Sequence, residues 1–264
     1  MKIGQDPWDS GDPYELFMGR WSRIIAPEFV RWLSIPTDRS WLDVGCGTGS
    51  LSKTILALAS PARVLALDQS PRFIAHSRRM IDDPRVHFEV GTASKISAPT
   101  ASFDVIVSGL VLNFVPDPFQ AVNEMRRVAL RDGMVAAYVW DYAQGMEMLR
   151  YFWDAAIALN PNARELDEGI RFPICHPERL EQLFMKAGLG EVEIRAIEIK
   201  TVFKDFDDFW LPFLGGQGPA PGYVASLESE GRVDLENALR EELPISNDGS
   251  IELRAQAWAV RGRN

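Results

Sequence analysis

Two rhythms alternate along the chain. Tyr14, Leu16, Phe17, Trp21, Ile24, Ile25, Phe29, Val30, Trp32 and Leu33 recur at helical spacing. Pro27 is expected to divide that stretch into two helices and to open the second. Residues 1–13, with two prolines and few apolar positions, predict no regular element. Trp41, Leu42 and Val44 then read as a strand that empties into Gly45, Gly47 and Gly49, and Leu51, Ile55 and Leu58 resume a helix. The pattern continues with a strand from Ala62 to Asp68, a helix over 71–81 and a strand from Val86 to Val90. A nearly unbroken apolar run from Ser102 to Ser108 follows, of the kind a parallel sheet buries on both faces. A helix over 118–130, a turn at Arg131–Gly133 and a strand from Met134 to Trp140 complete the series. Such alternation predicts an α/β fold with a doubly wound parallel sheet. Ligands of these sheets bind beyond the carboxyl ends of the strands, where Asp43, Asp68, Thr92, Ser108 and Asp141 all fall.

The second half is less regular. Residues 141–175 have a helical pattern rich in Met, Tyr, Phe and Trp. A helix over 177–187, a strand over 191–203, a helix over 205–214 and a strand over 250–261 follow. Phe203, Phe206, Phe209, Trp210 and Phe213 form an aromatic face at helical spacing, read as core before substrate wall. Residues 215–222, GGQGPAPG, are either a gate at a site or a plain surface connection.

Bulk properties narrow the function. At 264 residues the chain holds one α/β domain plus added elements. A formal charge of −9 argues against a general nucleic-acid surface. The N-terminus has no apolar core of a signal peptide, and the longest uncharged run, Val105 to Pro116, is too short to span a bilayer. Two cysteines, Cys46 and Cys175, make no disulfide framework, so a cytoplasmic setting is expected. No Cys/His cluster has metal-ligand spacing, and no metal is expected.

The glycine turn carries the candidate chemistry. A dinucleotide fingerprint reads G-x-G-x-x-G and seats a pyrophosphate on the helix N-terminus. Here the spacing is G-x-G-x-G, and Asp43 stands two residues before the first glycine. An acid there suits a ligand with positive charge, while the helix N-terminus suits a carboxylate.

The stretch Asp43 to Gly49, DVGCGTG, resembles the first motif of the class I S-adenosylmethionine (SAM) methyltransferases, in the small-molecule branch that includes the type 11 and ubiquinone/menaquinone methyltransferases. Asp68, 23 residues past Gly45, matches the second motif, whose acid accepts both ribose hydroxyls; a helix N-cap ahead of Pro71 is the competing role. The resemblance implies a Rossmann-like, mostly parallel sheet of seven strands with an inserted, mainly helical lid. Residues 1–40 would cover the cofactor and 41–140 form the SAM-binding core. The segments 141–190 and 204–249 would be lid insertions, and 191–203 with 250–264 the last two strands.

The same resemblance places Asp43, Gly45, Cys46, Gly47, Gly49, Asp68, Gln69, Thr92, Ala93, Ser108, Gly109, Leu110 and Asn113 at the cofactor, with Tyr14, Met18 and Arg20 from the leading helix. Thr92 stands where relatives often carry Asp, and Asn113 near a common His; an amide there can orient a substrate but cannot serve as a base. The implied activity is transfer of the sulfonium methyl to carbon, oxygen or nitrogen of a small-molecule acceptor by in-line displacement, leaving S-adenosylhomocysteine. Such a reaction gains most from positioning and water exclusion. Where a base is used, His176, Asp141 and Tyr142 are the candidates. His76 and His87 are read as surface or structural. The rivals are a nicotinamide-dependent oxidoreductase of the same fold class and a non-catalytic SAM-binding protein.

Overall fold

One seven-stranded sheet, in the order β3-β2-β1-β4-β5-β7-β6, organises the chain. The computed structural model describes residues 15–215 and 218–264. Tyr14 lies outside the described residues.

A π-helical turn, Glu15–Gly19, leads into α1, Arg20–Leu33. Pro27 sits inside α1 and does not divide it, which corrects the two-helix expectation. An internal proline gives up one ladder bond and crowds the carbonyl four residues back, a cost of about 3 kcal/mol. Ile25, Ala26 and Phe29 are wholly buried and Val30 nearly so, so a continuous apolar face on both sides of Pro27 offsets that cost.

β1 (Ser40–Val44), α2 (Ser50–Leu58), β2 (Arg63–Asp68), α3 (Pro71–Met80), β3 (Val86–Val90), β4 (Phe103–Gly109), α4 (Pro118–Val128) and β5 (Ala129–Trp140) follow. β1 pairs parallel with β2 on one side, in register Leu42↔Leu65, and with β4 on the other, in register Leu42↔Ile106. The chain therefore winds outward from β1 through β2 and β3, then crosses back to β4 and β5. The reversal between β1 and β4 opens a crevice at their carboxyl ends.

The expected turn at Arg131–Gly133 is instead part of β5. The pairing with β4 slips between Phe103 and Val105, so the irregular stretch bulges without leaving the sheet. The chain end holds it there: Asp132 N–H donates to the Asn264 carbonyl, and Asn264 N–H to the Gly133 carbonyl, both at 3.0 Å.

Beyond β5 the chain forms α5 (Glu147–Leu159), the one-turn α6 (Glu168–Arg171), α7 (Pro177–Lys186) and β6 (Gly190–Phe203). α8 (Phe206–Trp210), α9 (Pro219–Ser226), α10 (Ser229–Glu242) and β7 (Ile251–Arg263) close it. β7 inserts antiparallel between β5 and β6. The helix expected over 205–214 is α8 followed by a 3-10 turn, Leu211–Gly215. The loop expected over 215–222 is already helical from Pro219, because proline at the first helical position presets φ and needs no N–H partner. Phe203, Phe209 and Phe213 are fully buried, and Phe213 stacks on Phe152 with ring centroids 4.6 Å apart, so the aromatic face is core.

Candidate functional site

The three glycines after β1 hold φ of +77° (Gly45), +54° (Gly47) and +87° (Gly49), a region that residues with a Cβ rarely adopt. The turn is tied to β2: Gly45 and Cys46 N–H both donate to the Leu67 carbonyl, at 2.8 and 2.9 Å. Asp68, at the tip of β2, accepts Gly47 N–H on Oδ2 at 2.9 Å and Ser70 N–H on Oδ1 at 2.8 Å. Those bonds occupy one lone pair on each oxygen, and a carboxylate has about four acceptor positions. The N-cap of α3 is Ser70, whose hydroxyl accepts from Phe73 N–H, so Asp68 is not the cap. Ser77 clamps the far side of the turn by donating to the Gly47 carbonyl at 2.9 Å. A Cβ on Gly47 would meet no atom within 4 Å: its open side faces into space.

That space is a cavity of about 420 Å³ over the carboxyl ends of β1, β2, β4 and β5. Of the residues singled out in the sequence, Gly45, Cys46, Gly47, Asp68, Gln69, Thr92, Ala93, Gly109 and Leu110 line it. Ser22 from α1, Phe114 and Pro116 from the loop after β4, and Tyr138 from β5 also line it, and sequence reasoning missed them. Tyr138 left one signal, a hydroxyl near the end of an otherwise apolar strand. Among the described residues, no lysine, arginine or histidine lines the cavity.

The other candidates lie off the lining. Asp43 sits behind the turn, 1% exposed. Its Oδ2 accepts the Ser52 hydroxyl at 2.6 Å, and its buried Oδ1 has no hydrogen-bond partner. Burial first, and then the charge of Asp68, push the Asp43 carboxyl up to about 7, against the Ser52 bond that lowers it. Burial likewise raises Asp68, and burial plus the two carboxylates raise the Cys46 thiol. The two carboxyl groups make a negative field at the turn that favours a cation, and with burial they keep Cys46 a neutral thiol. Gly49 caps α2, where a Cβ would come within 2.7 Å of Ile81. Ser108 donates to the Val44 carbonyl at 2.9 Å and ties β4 to β1. Asn113 is buried in the 3-10 turn Leu112–Phe114, with neither amide atom hydrogen-bonded.

Met18 is buried in the core. The Arg20 guanidinium is occupied elsewhere: it grips both Asp208 oxygens at 2.7 and 3.0 Å, donates to the Val202 carbonyl and lies over the Trp21 ring. Its long side chain and fixed donor fork match a carboxylate better than an apolar cavity. Among the candidate bases, Asp141 caps the turn after β5, accepting Gln144 N–H and the Gln256 amide, both at 3.1 Å. Tyr142 is buried against Phe172, ring centroids 5.6 Å apart. His176 is the residue before α7, and its carbonyl accepts the N–H groups of Arg179 and Leu180. None of the three lines the cavity. No group of three or more metal-type ligands gathers among the described residues, and no described helix is long and apolar enough to cross a membrane.

A sheet ordered 3-2-1-4-5-7-6 with one antiparallel strand, a glycine turn after β1 and an acid at the tip of β2 together have the arrangement of the Rossmann-like methyltransferase fold. Residues 42–137 match the family described as methyltransferase domain. It is 31% identical over 181 residues to a probable SAM-dependent methyltransferase of Mycolicibacterium smegmatis, covering 66% of each chain. It is 30% identical over 156 residues to 2-methyl-6-phytyl-1,4-hydroquinone methyltransferase 2 of Oryza sativa, covering 59% of this chain and 40% of that one. The match thus spans less than half the length of the rice relative. Among solved structures, a putative methyltransferase from Bacillus halodurans shares the fold with a TM-score of 0.61 at 13% identity, covering 90% of this chain and 97% of that one. Phosphoethanolamine N-methyltransferase 2 of Haemonchus contortus, in complex with SAM, does so with a TM-score of 0.58 at 16% identity, covering 95% of this chain and 56% of that one.

Proposed function

We propose that the cavity binds SAM and that the chain transfers its methyl group to a small, uncharged acceptor with a substantial apolar or aromatic face. The observation that carries this reading is the pairing of Asp68 with the open face of Gly47 in one cavity wall. The carboxylate keeps acceptor positions for a ribose diol, and the turn beside it leaves room for a ligand to lie against bare backbone. The orphaned Oδ1 of Asp43 behind the turn fits a cationic ligand nearby and would be a poor neighbour for a pyrophosphate.

When bound, SAM supplies an electrophilic methyl carbon on a good leaving group. The chain's own part is binding, orientation and exclusion of water. Asp68 and the Ala93 backbone hold the nucleoside end, and the glycine turn and Gly109 flank the amino-acid end. Leu110, Val111, Phe114, Val115 and Pro116 form a dry wall on the β4 side, which suits an acceptor ring. An acceptor bearing phosphate or carboxylate would find no cation on the described lining, which separates this site from one built for phosphoethanolamine. The hydroquinone named for the rice relative is of the favoured class. Among the described residues none of the helices between β5 and β6 or between β6 and β7 lines the cavity. The segment after β5 reaches its wall through Phe172, which packs on Phe114 with ring centroids 5.2 Å apart, and a cover over the acceptor would be built from that side.

The test is calorimetry with SAM and with NAD, then incubation with methyl-labelled SAM and a panel of phenols, hydroquinones and amines. The expected result is SAM binding, no NAD binding, and label in a neutral aromatic product. SAM binding without turnover on any acceptor would favour a non-catalytic protein, and NAD binding alone would overturn the assignment.

A further inference from the structure

The polar side chains of the cavity are unevenly spread. Thr48, Asp68, Gln69, Ser70, Thr92 and Ser94 crowd the ends of β1, β2 and β3. On the opposite side, built by β4, the loop after it and β5, the wall is glycine, aliphatic, proline and phenyl, with a single hydroxyl supplied by Tyr138.

Tyr138 is held in place from several directions. It pairs with Gly109 across the parallel ladder, and its carbonyl accepts Leu110 N–H at 2.8 Å. Phe29 of α1 backs the ring, with centroids 4.6 Å apart. The phenol end lies directly over Gly109: a Cβ there would fall 2.7 Å from Tyr138 Oη and 2.8 Å from Cζ. Gly109 has an ordinary negative φ, so the ring and not the backbone conformation requires glycine at this position. From β5 the ring thus reaches over β4, putting its oxygen beside Gly109 in the wall of the cavity that the glycine turn also lines. The residue is only 2% exposed, so its dipole acts in a poorly screened setting.

Resting on the reading that SAM occupies this cavity, we propose that Tyr138 binds the amino-acid end of the donor through its phenol oxygen, in a groove that exists because residue 109 is glycine. The amino-acid end carries an ammonium that donates and a carboxylate that accepts, and a phenol can serve either. Nothing in the glycine-turn pattern specifies this contact, because Tyr138 lies on the third strand from β2 in the sheet, on the far side of β4 from β1.

The experiment is calorimetry on the full chain with three ligands: SAM, S-adenosylhomocysteine, and 5′-methylthioadenosine, which keeps the nucleoside and thioether but lacks the amino-acid end. Tyr138→Phe keeps the ring and removes only the hydroxyl. It is expected to weaken SAM and S-adenosylhomocysteine alike, by about tenfold or more, the scale of a lost hydrogen bond to a charged group. Its affinity for 5′-methylthioadenosine is expected to be unchanged. Gly109→Ala, which displaces the ring, is expected to give the same selective loss. Unaltered SAM affinity in Tyr138→Phe overturns the proposal, and so does an equal loss for 5′-methylthioadenosine, which would mark a packing role. Wild-type protein that binds none of the three would overturn the donor assignment itself, and the proposal with it.

Discussion

Replacing Asp43 with asparagine isolates the charge behind the glycine turn. The folded protein holds this carboxyl at about 7 against 3.8 for an exposed aspartate, burial being the largest cause. That difference of roughly 3 units, at 1.36 kcal/mol each, amounts to about 4 kcal/mol of pH-dependent stability. The sign follows from which state holds the proton more tightly. Below pH 4 both states carry it and the group costs nothing. As pH rises from about 4 through 7 the unfolded chain ionises first, so the folded state loses stability, and the loss is complete above 7. Asp43→Asn removes the titration and keeps the shape. Urea unfolding of the ligand-free chain at pH 5, 6, 7 and 8 should show wild-type stability falling more steeply than that of the variant. Asp68, also raised, leaves a smaller slope of the same sign in both. The amide brings its own cost beside Ser52, about 1–3 kcal/mol for an unpaired buried donor, but that cost does not vary with pH. The slopes are therefore compared, not the midpoints. A cationic ligand favours the ionised carboxylate, so wild-type affinity for SAM should rise between pH 6 and 8 and that of the variant much less. Parallel stability profiles for the two proteins would refute the account of Asp43 as a buried, titrating acid.

Other substitutions probe the remaining parts of the site. Asp68→Ala should weaken SAM by roughly 1–3 kcal/mol in calorimetry, from lost bonds to a charged acceptor; unchanged affinity would reduce Asp68 to a brace for the turn. Gly47→Val should abolish SAM binding by filling the open side of the turn, and the strain of a β-branched residue at φ +54° should also lower the unfolding midpoint, so circular dichroism at a temperature where the variant is folded precedes the calorimetry. Arg20→Ala should lower stability by about 1 kcal/mol in a salt-sensitive way, as expected for a partly exposed ion pair with Asp208. Its affinity for SAM should stay within twofold of wild type, and a larger loss would return Arg20 to the binding site. Glu168, buried and bonded to the Trp153 indole N–H, is raised to about 7 by burial, so Glu168→Gln should flatten the fall in stability from pH 5 to 8.

The central sheet was legible because its signals are local and periodic. β1, β2, β4 and the second half of β5 are short, mostly apolar runs, and β3 alternates apolar with polar residues, so each shows a strand's local period. Asp68 was legible for the same reason: a strand tip at a set distance from the glycine turn has few places to go. What escaped depends on contacts between distant parts of the chain. Pro27 reads locally as a break, and only burial of Ile25, Ala26 and Phe29 against the sheet reverses that. Arg131–Gly133 reads as a turn until the chain end, Asn264, supplies the bonds that hold it in β5. Arg20 reads as a ligand residue until Asp208, brought close by the end of β6, takes its guanidinium. Tyr138 reads as one more apolar strand residue, and its approach to Gly109 follows only from the register of β4 on β5.

The same logic bears on whether a general base is needed. The acid that looked available after β5, Asp141, closes a turn with both oxygens, and His176 stands just ahead of a helix, off the cavity lining. The lining itself offers Asp68, Cys46 and Tyr138 as its ionisable groups. Asp68 is braced by two backbone N–H groups, and Cys46 is held as a thiol by its burial first and then by the neighbouring negative charge. If the described lining is the whole site, the proposed reaction calls for an acceptor that arrives nucleophilic, such as an acidic phenol ionised in part at neutral pH or an electron-rich ring carbon. The rate for a series of substituted phenols should then track the acceptor's own acidity, with log kcat/KM rising as the phenol pKa falls toward the assay pH. His176→Ala should leave that dependence in place. Loss of all turnover in His176→Ala, with SAM affinity intact, would mean that a base outside the described lining reaches the acceptor.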